Sequence, residues 1–423
     1  MSWQGWWLAA GLSAATVLSA RTTRAEATDC RTITRKNLVV CVLEANAARK
    51  AARAGVEAAE GRIQATDPWF PASPSLGFAA SRRTAGNQQA LNWNASLGVE
   101  LEVSGSRGAR RDAATADKQA EALAVTRVER ATAAAAWTAY FESVAAAEEV
   151  RLLVRLEHAS ERVRDAARAW AAKGSLAGVE ADLAEAAYLR LARRRLERQR
   201  DERTARGGLA GLLGFERTES VAVSGELLPL ADAERTDART LAEPPDAAQL
   251  EARSRAFTAQ ASAQRRSRFP NPTISAFVGR DGFDENVLGL GLALPLPLPE
   301  PVGRMHAGEI AESEALARQA KLLATDSRRR QRATLQSALT SYASAREALS
   351  LYTSERTERA EATLTSLATE VEAARIGVRD AVIVQEPLLD LLLAAVEAKK
   401  ALCLSSVDVD HAAGVRLEDG GAR

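Results

Sequence analysis

The sequence predicts a mainly α-helical protein with a β-barrel part, arranged as two tandem helix–β-hairpin–long-helix repeats. Three observations predict it. The chain is written twice, with a period of about 200 residues: Pro74 answers to Pro272, Gly108 to Gly303 and Gly174 to Gly377. Each copy contains a very long run rich in Ala, Glu and Arg and free of Pro, the material of extended helices. Each copy also contains two short segments in which apolar and polar residues alternate, the signature of half-buried strands.

The 423-residue composition fits this plan: apolar residues reach 46% but aromatics only 4%, and charged residues make up 26% with a net charge of +1. A balance so close to zero gives no electrostatic reason to expect nucleic acid as a partner. Arginine runs such as Arg193–Arg195 and Arg328–Arg330 read as solvated helix faces.

In chain order, residues 1–27 read as a secretory signal peptide: Trp6–Ala20 is apolar and Ala25-Glu26-Ala27 supplies small residues for cleavage. No later segment is long and apolar enough for a helical membrane span. Cys30 and Cys41 can pair in an oxidising compartment, a pairing the sequence leaves open. The first repeat covers 35–214. Its opening helix runs from Asn37 to about Thr66, with Leu38, Val42, Ala45, Ala52, Val56, Ala59 and Ile63 on one stripe, and stops before Pro68. Strands follow at about 74–81 and 92–104. A linker over 215–245 contains Pro229, Pro244 and Pro245. The second repeat covers 246–410, with a helix to Arg268 and strands at about 272–279 and 286–296. Residues 411–423 form a tail.

The hairpins indicate their surroundings. In 92–104, Trp93, Ala95, Leu97, Val99, Leu101 and Val103 share one face, while Asn92, Asn94, Ser96, Gly98, Glu100, Glu102 and Ser104 share the other. Leu76, Phe78 and Ala80 repeat the pattern, as do Leu288, Leu290, Leu292 and Leu294. A membrane strand needs ~9–11 residues of such alternation. One hairpin alone also fits a soluble sheet packed on a core; four such strands in a secreted chain without other β content favour a barrel. Four strands cannot close a barrel, since the smallest use about eight. Three copies would supply twelve.

After each hairpin comes a rod. Gly108 to about Lys173 makes a helix of roughly 98 Å, and Gly303 to about Ile376 a similar one, interrupted only by Gly308. Each ends at a glycine, Gly174 or Gly377, that supplies a left-handed cap before the chain returns along Leu176–Leu213 or Ala381–Leu404.

No enzyme, cofactor or metal constellation emerges. His158, His306 and His411 lack partners at metal-ligand spacing, Met305-His306 reads as structural, and Gly289-x-Gly291 lies inside a strand rather than at a dinucleotide-binding turn. The candidate functional residues are positional. Asn94, Glu100 and Glu102 would face a barrel lumen or simply water. Gly174, Gly377, Arg379 and Asp380 would form the rod tips. Gly108, Pro295, Pro297 and Gly303 would join strand to helix.

These segments resemble the TolC-type outer-membrane efflux proteins of Gram-negative bacteria. LVVCVLEANAARKAARAGVEAAEGRIQATDPWFPASPSL is similar to the family's first helix and strand entry, SGSRGARRDAA to its strand-to-helix joint, and KGSLAGVEADLAEA with ARGGLAGLLG to its tip and return helix. FPNPTIS and LALPLPLPEPVGR are similar to the matching parts of the second repeat. Asn271-Pro272 with Pro295-Leu296-Pro297-Leu298 especially resembles the cobalt–zinc–cadmium and copper/silver efflux branch. Leu298-Pro299-Glu300-Pro301 and Pro387 depart from that pattern. The resemblance implies a homotrimer whose twelve-stranded barrel lies in outer-membrane lipid and continues into a periplasmic helical tunnel. It also implies a passive exit duct serving an adaptor (membrane fusion) protein and a resistance-nodulation-division pump of the inner membrane, with heavy-metal cations as cargo. Drug efflux and type I secretion are the family's other cargoes. The rods alone would equally suit a periplasmic coiled-coil scaffold without a pore, but that would not explain the amphipathic hairpins.

Overall fold

The computed structural model describes residues 30–85, 88–215, 221–230, 243–282, 285–298 and 305–414. The signal peptide expected over 1–27, Gly303 and, of the tail expected over 411–423, the part beyond 414 lie outside these residues, while 411–413 belong to the last helix.

The described chain begins with β1 (Thr32–Ile33) and α1 (Leu38–Ala45), followed by α2 (Ala47–Gln64). The single opening helix expected over 37–66 is therefore two helices. Asn46 breaks it: its backbone is extended and its side-chain oxygen accepts the Arg49 N–H at 2.9 Å, capping α2. Next come β2 (Ser75–Ala85) and β3 (Gln88–Glu100), then α3 (Ser106–Ala172), 67 residues and about 100 Å long at 1.5 Å per residue. The return helix is α4 (Gly178–Leu212).

The segment between repeats contains β4 (Ala222–Val223), followed by α5 (Pro245–Arg266), β5 (Thr273–Arg280) and β6 (Asn286–Ala293). The second rod then differs from the first. It is two helices, α6 (Ala307–Ser350) and α7 (Ser354–Glu372), before the return helix α8 (Val378–Ala413). The break falls at Thr353, whose extended backbone and side-chain oxygen cap α7, while the Arg356 guanidinium donates back to the Leu351 carbonyl at 2.7 Å. A Thr–Ser pair at this point competes with helix continuation as a cap. Pro387 sits inside α8 without ending it.

One antiparallel sheet holds the four long strands in the order β2-β3-β5-β6. The helices beyond it repeat that order: α2 packs on α3, α3 on α5, and α5 on α6. A sheet thus passes into a wall of helices without any element changing neighbours. Farther along, the α3–α4 and α7–α8 hairpins share a core of Leu153, Leu156, Val163, Leu367, Val371 and Val378.

The middle of the molecule has its own apolar centre. Trp137, Tyr140 and Phe141 of α3 form an aromatic group with centroids 5.5–5.7 Å apart, packed against Leu38, Val42, Leu209 and Val407. Residues 221–230 of the linker expected over 215–245 are part of this centre. β4 pairs in parallel with β1, and Leu227 and Leu230 are buried in the same cluster. This two-stranded pairing is β structure beyond the four expected strands. Arg35 fastens it, donating to the Leu228 and Pro229 carbonyls at 2.9 Å each while its guanidinium lies over the Trp137 ring. Cys30 and Cys41 are disulfide-bonded, tying the first strand to α1. Cys403 is buried and free, its thiol pushed up to about 12 by burial.

Candidate functional site

The sheet, its joint to the helices and the helix tips together form the candidate site. Strand register sorts the side chains into two unlike faces. Leu97 stands between Leu76 and Ala276, Val99 opposite Ile274, and Ile274 opposite Leu292. That face carries Leu76, Phe78, Trp93, Leu97, Ile274, Val278, Leu288, Leu290 and Leu292, with Phe78 stacked near Trp93. Its side chains lie open: Leu76 is 81% exposed, Leu288 84% and Leu290 82%. The opposite face carries Ser75, Ser81, Asn92, Asn94, Ser96, Glu100, Thr273 and Ser275 among glycines. Asn94 is exposed there, paired in register with Ala79 and Gly279. Glu100 ends β3 opposite Thr273 and accepts from Asn271 Nδ2 at 2.8 Å. Each outer strand, β2 and β6, has a ladder partner on one side only.

β3 and β6 end earlier than their alternation suggests, whereas β2 runs on to Ala85, beyond the expected 81. β3 stops at Glu100 rather than 104 because its partner strand begins after Pro272, which has no N–H to give; the Pro272 carbonyl accepts the Leu101 N–H at 2.9 Å and the ladder ends. Glu102 is consequently not a strand residue. Its side chain, 6% exposed, is turned into the joint, where it accepts from Ser106 Oγ at 2.6 Å, from the Arg107 N–H and from Arg110 Nη2 at 2.8 Å. β6 stops at Ala293, so Pro295 and Pro297 follow the strand and stand exposed beyond it.

The turn into the rod is made by Gly105, not Gly108. Gly105 precedes α3 with a left-handed backbone (φ 67°), while Gly108 lies inside the helix with open space around it. In the second repeat the same place is taken by His306 (φ 54°), whose ring contacts the Glu309 carboxylate at 2.5 Å. Arginines that sequence reasoning did not single out hold the joint: Arg107 donates to the Thr66 and Asp67 carbonyls, Arg266 to Gly105 and Arg268 to Met305. Their signal in the sequence is position alone, since cations close to helix ends meet unpaired carbonyls.

At the tips, Gly174 takes the left-handed cap after α3 (φ 73°), with Ser175 N–H returning to the Trp170 carbonyl at 2.9 Å. The equivalent left-handed residue after α7 is Ala374 (φ 57°), with Arg375 N–H returning to Glu370 at 2.9 Å. Gly377 is instead the extended residue that starts α8. Arg379 and Asp380 follow it, both exposed in the first turn of α8. Among the described residues no cluster of His, Cys, Asp and Glu could hold a metal ion, and no helix is long and apolar enough to cross a membrane.

This geometry defines a class: a sheet with one greasy face and open edges, continued by a helical wall of the same order. Solved structures of that class resemble the chain. CusC, described for the changes that accompany folding and transmembrane channel formation, is 15% identical with a TM-score of 0.72, over 90% of this chain and 92% of that one. The outer membrane protein VceC of Vibrio cholerae is 17% identical with a TM-score of 0.71, over 90% and 96%. The outer-membrane channel MtrE of Neisseria gonorrhoeae, in its open state, is 17% identical with a TM-score of 0.68, over 91% and 90%. The chain thus has the fold of TolC-type outer-membrane channels. No protein-family model matches it, and no curated protein matches it in sequence.

Three variants test the site. An L-residue in the left-handed region costs about 1–2 kcal/mol, so Ala374→Gly is expected to raise the thermal midpoint of helix unfolding and Gly174→Ala to lower it. Burial alone would raise Glu102, but the hydrogen bonds from Ser106, Arg110 and Arg107 outweigh it and hold the carboxyl below its ordinary 4.5. A depressed folded-state pKa means that the ionised group stabilises the joint above about 4.5, and that this is lost as pH falls through the folded value. Glu102→Gln is expected to be less stable than the parent by about 1–3 kcal/mol at neutral pH and to lack this share of the parent's loss of stability on acidification, measured by urea unfolding at stepped pH.

Proposed function

We propose that three copies of this chain form a passive exit channel in the outer membrane of a Gram-negative bacterium. The observation that carries this reading is the sheet with an exposed apolar face, a polar opposite face and two unpaired edges. In water such a face is a liability; in lipid it is correctly solvated, but each open backbone group then costs several kcal/mol. Pairing β6 of one copy with β2 of the next satisfies both edges, and three copies close a ring of twelve strands with the apolar face outward. The helical walls, following the same neighbour order, continue the ring as a tunnel through the periplasm. A soluble scaffold would need the rods but would leave Leu76, Leu288 and Leu290 uncovered.

The tips with Gly174, Gly377, Arg379 and Asp380 are the end that meets an adaptor protein and an inner-membrane pump. Arg379 and Asp380, three times repeated, narrow the entrance through many weak contacts, since an exposed pair contributes at most ~1 kcal/mol. Heavy-metal cations are the proposed cargo, supported by the likeness of Asn271-Pro272 and Pro295-Leu296-Pro297-Leu298 to the metal-efflux branch. Glu100, repeated around the lumen, would favour cations modestly, and selection among metals is left to the pump.

Outer-membrane fractions are expected to contain the mature chain as a heat-modifiable trimer that gives stepwise conductance in planar bilayers. A soluble periplasmic monomer would refute the channel. Deletion of the gene is expected to sensitise cells to cobalt, zinc, cadmium, copper or silver; unchanged metal tolerance with new sensitivity to dyes would refute the metal cargo. Neutralising both Arg379 and Asp380 is expected to raise single-channel conductance, and an unchanged value would remove them from the entrance.

A further inference from the structure

Phe277 is the single aromatic side chain on the small and polar face of the described sheet. It stands in β5, opposite Ser96 on one side and Gly289 on the other. The outer edge of its ring covers Gly289: a Cβ on that glycine would lie 2.3 Å from Phe277 Cζ, 2.8 Å from Cε1 and 3.0 Å from Cε2. Real side chains do not tolerate such approaches, so any other residue at 289 must displace the ring.

The neighbouring glycines leave it nowhere to go within the wall. Gly77 is covered by Ser96 Oγ at 2.8 Å, Gly98 by Ser75 Oγ at 2.9 Å and Gly291 by Ser275 Oγ at 2.6 Å, each measured to the position a Cβ would take. These three glycines thus each have a serine lying over them, Gly279 is closed by the Trp93 backbone carbonyl at 2.5 Å, and only Gly289 accommodates a ring. Placing an aromatic over a strand glycine also restores packing that the glycine lacks. Beside the ring is a hollow of about 280 Å³, the size of a small ligand pocket, bordered by Ser81, Asn92, Asn94 and Val287. It is the open space into which a displaced ring would rise.

We infer that Gly289 is a notch holding the Phe277 ring against the wall, and that this pair sets the free width of the barrel. The inference rests on the channel reading above, in which this face lines the lumen. Three rings lie flat when the notches are empty and stand inward when they are filled. Phe277 is then the residue that limits the size of what passes this level, and Gly289 the residue that positions it.

The test sizes the barrel mouth of the purified trimer in planar bilayers, adding polyethylene glycols of increasing size on the side away from the helix tips. Phe277→Ala is expected to admit larger polymers than the parent. Gly289→Ala is expected to exclude polymers the parent admits, and the double variant to recover at least the parental cut-off. An unchanged cut-off in Phe277→Ala overturns the inference, as does exclusion that persists in the double variant. If Gly289→Ala fails to assemble, Phe277→Ala alone decides. Pores that conduct with identical cut-offs refute the notch but leave the channel standing; a parent that forms no pore refutes both.

Discussion

The backbone of an edge strand must find a partner, and the apolar face of a sheet must find a solvent that suits it. Most of what is distinctive here depends on meeting both demands with only four long strands. The register that puts Leu97 between Leu76 and Ala276, and Ile274 between Val99 and Leu292, collects the large apolar residues on one side, with Phe277 and Val287 the exceptions. A slip of one residue in any pairing would send one strand's apolar row to the polar side. Gly77, Gly98, Gly289 and Gly291 on that polar side are equally bound to the register, because each lies beneath a particular neighbouring side chain.

The same constraint reaches the helices through the joint. Because α2, α3, α5 and α6 leave the sheet in strand order, the spacing of the wall is inherited from the spacing of the strands. Converting one to the other requires a sharp turn, made by a left-handed residue in each repeat, Gly105 and His306. Arginines then carry the load across: Arg107 reaches the end of α2, and Arg266 and Arg268 reach the two turns themselves. Glu102, buried among Ser106, Arg107 and Arg110, fastens the first turn from within.

The large features of this design were legible in the sequence because they are periodic. Alternation at two announced the strands, long proline-free runs announced the rods, and the duplicated order announced the architecture. The misplacements share one cause, which is that single side chains decide where elements end. Asn46 and Thr353 each cap a helix inside what reads as continuous helical sequence. Matching glycine to glycine between repeats paired Gly108 with Gly303 and Gly174 with Gly377, yet the equivalent left-handed positions are Gly105 with His306 and Gly174 with Ala374. Glycine is cheapest there but not obligatory, so it is an unsafe marker of register between diverged copies. The docking of the linker was illegible for a different reason: β1 and β4 are too short to announce themselves, and their pairing is between distant parts of the chain.

That pairing has a consequence for how the molecule comes into being. Thr32 precedes both helical rods, and its partner Ala222 belongs to the segment that follows the first repeat. The aromatic centre of α3, already present on the emerging chain, cannot be covered until Leu227 and Leu230 arrive and α8 has delivered Val407. Contacts this remote in sequence close late, after much loop entropy has been surrendered. A nascent first repeat is therefore a waiting state, with its belt unfastened and its leucine face bare. Its core is complete only when the second repeat is.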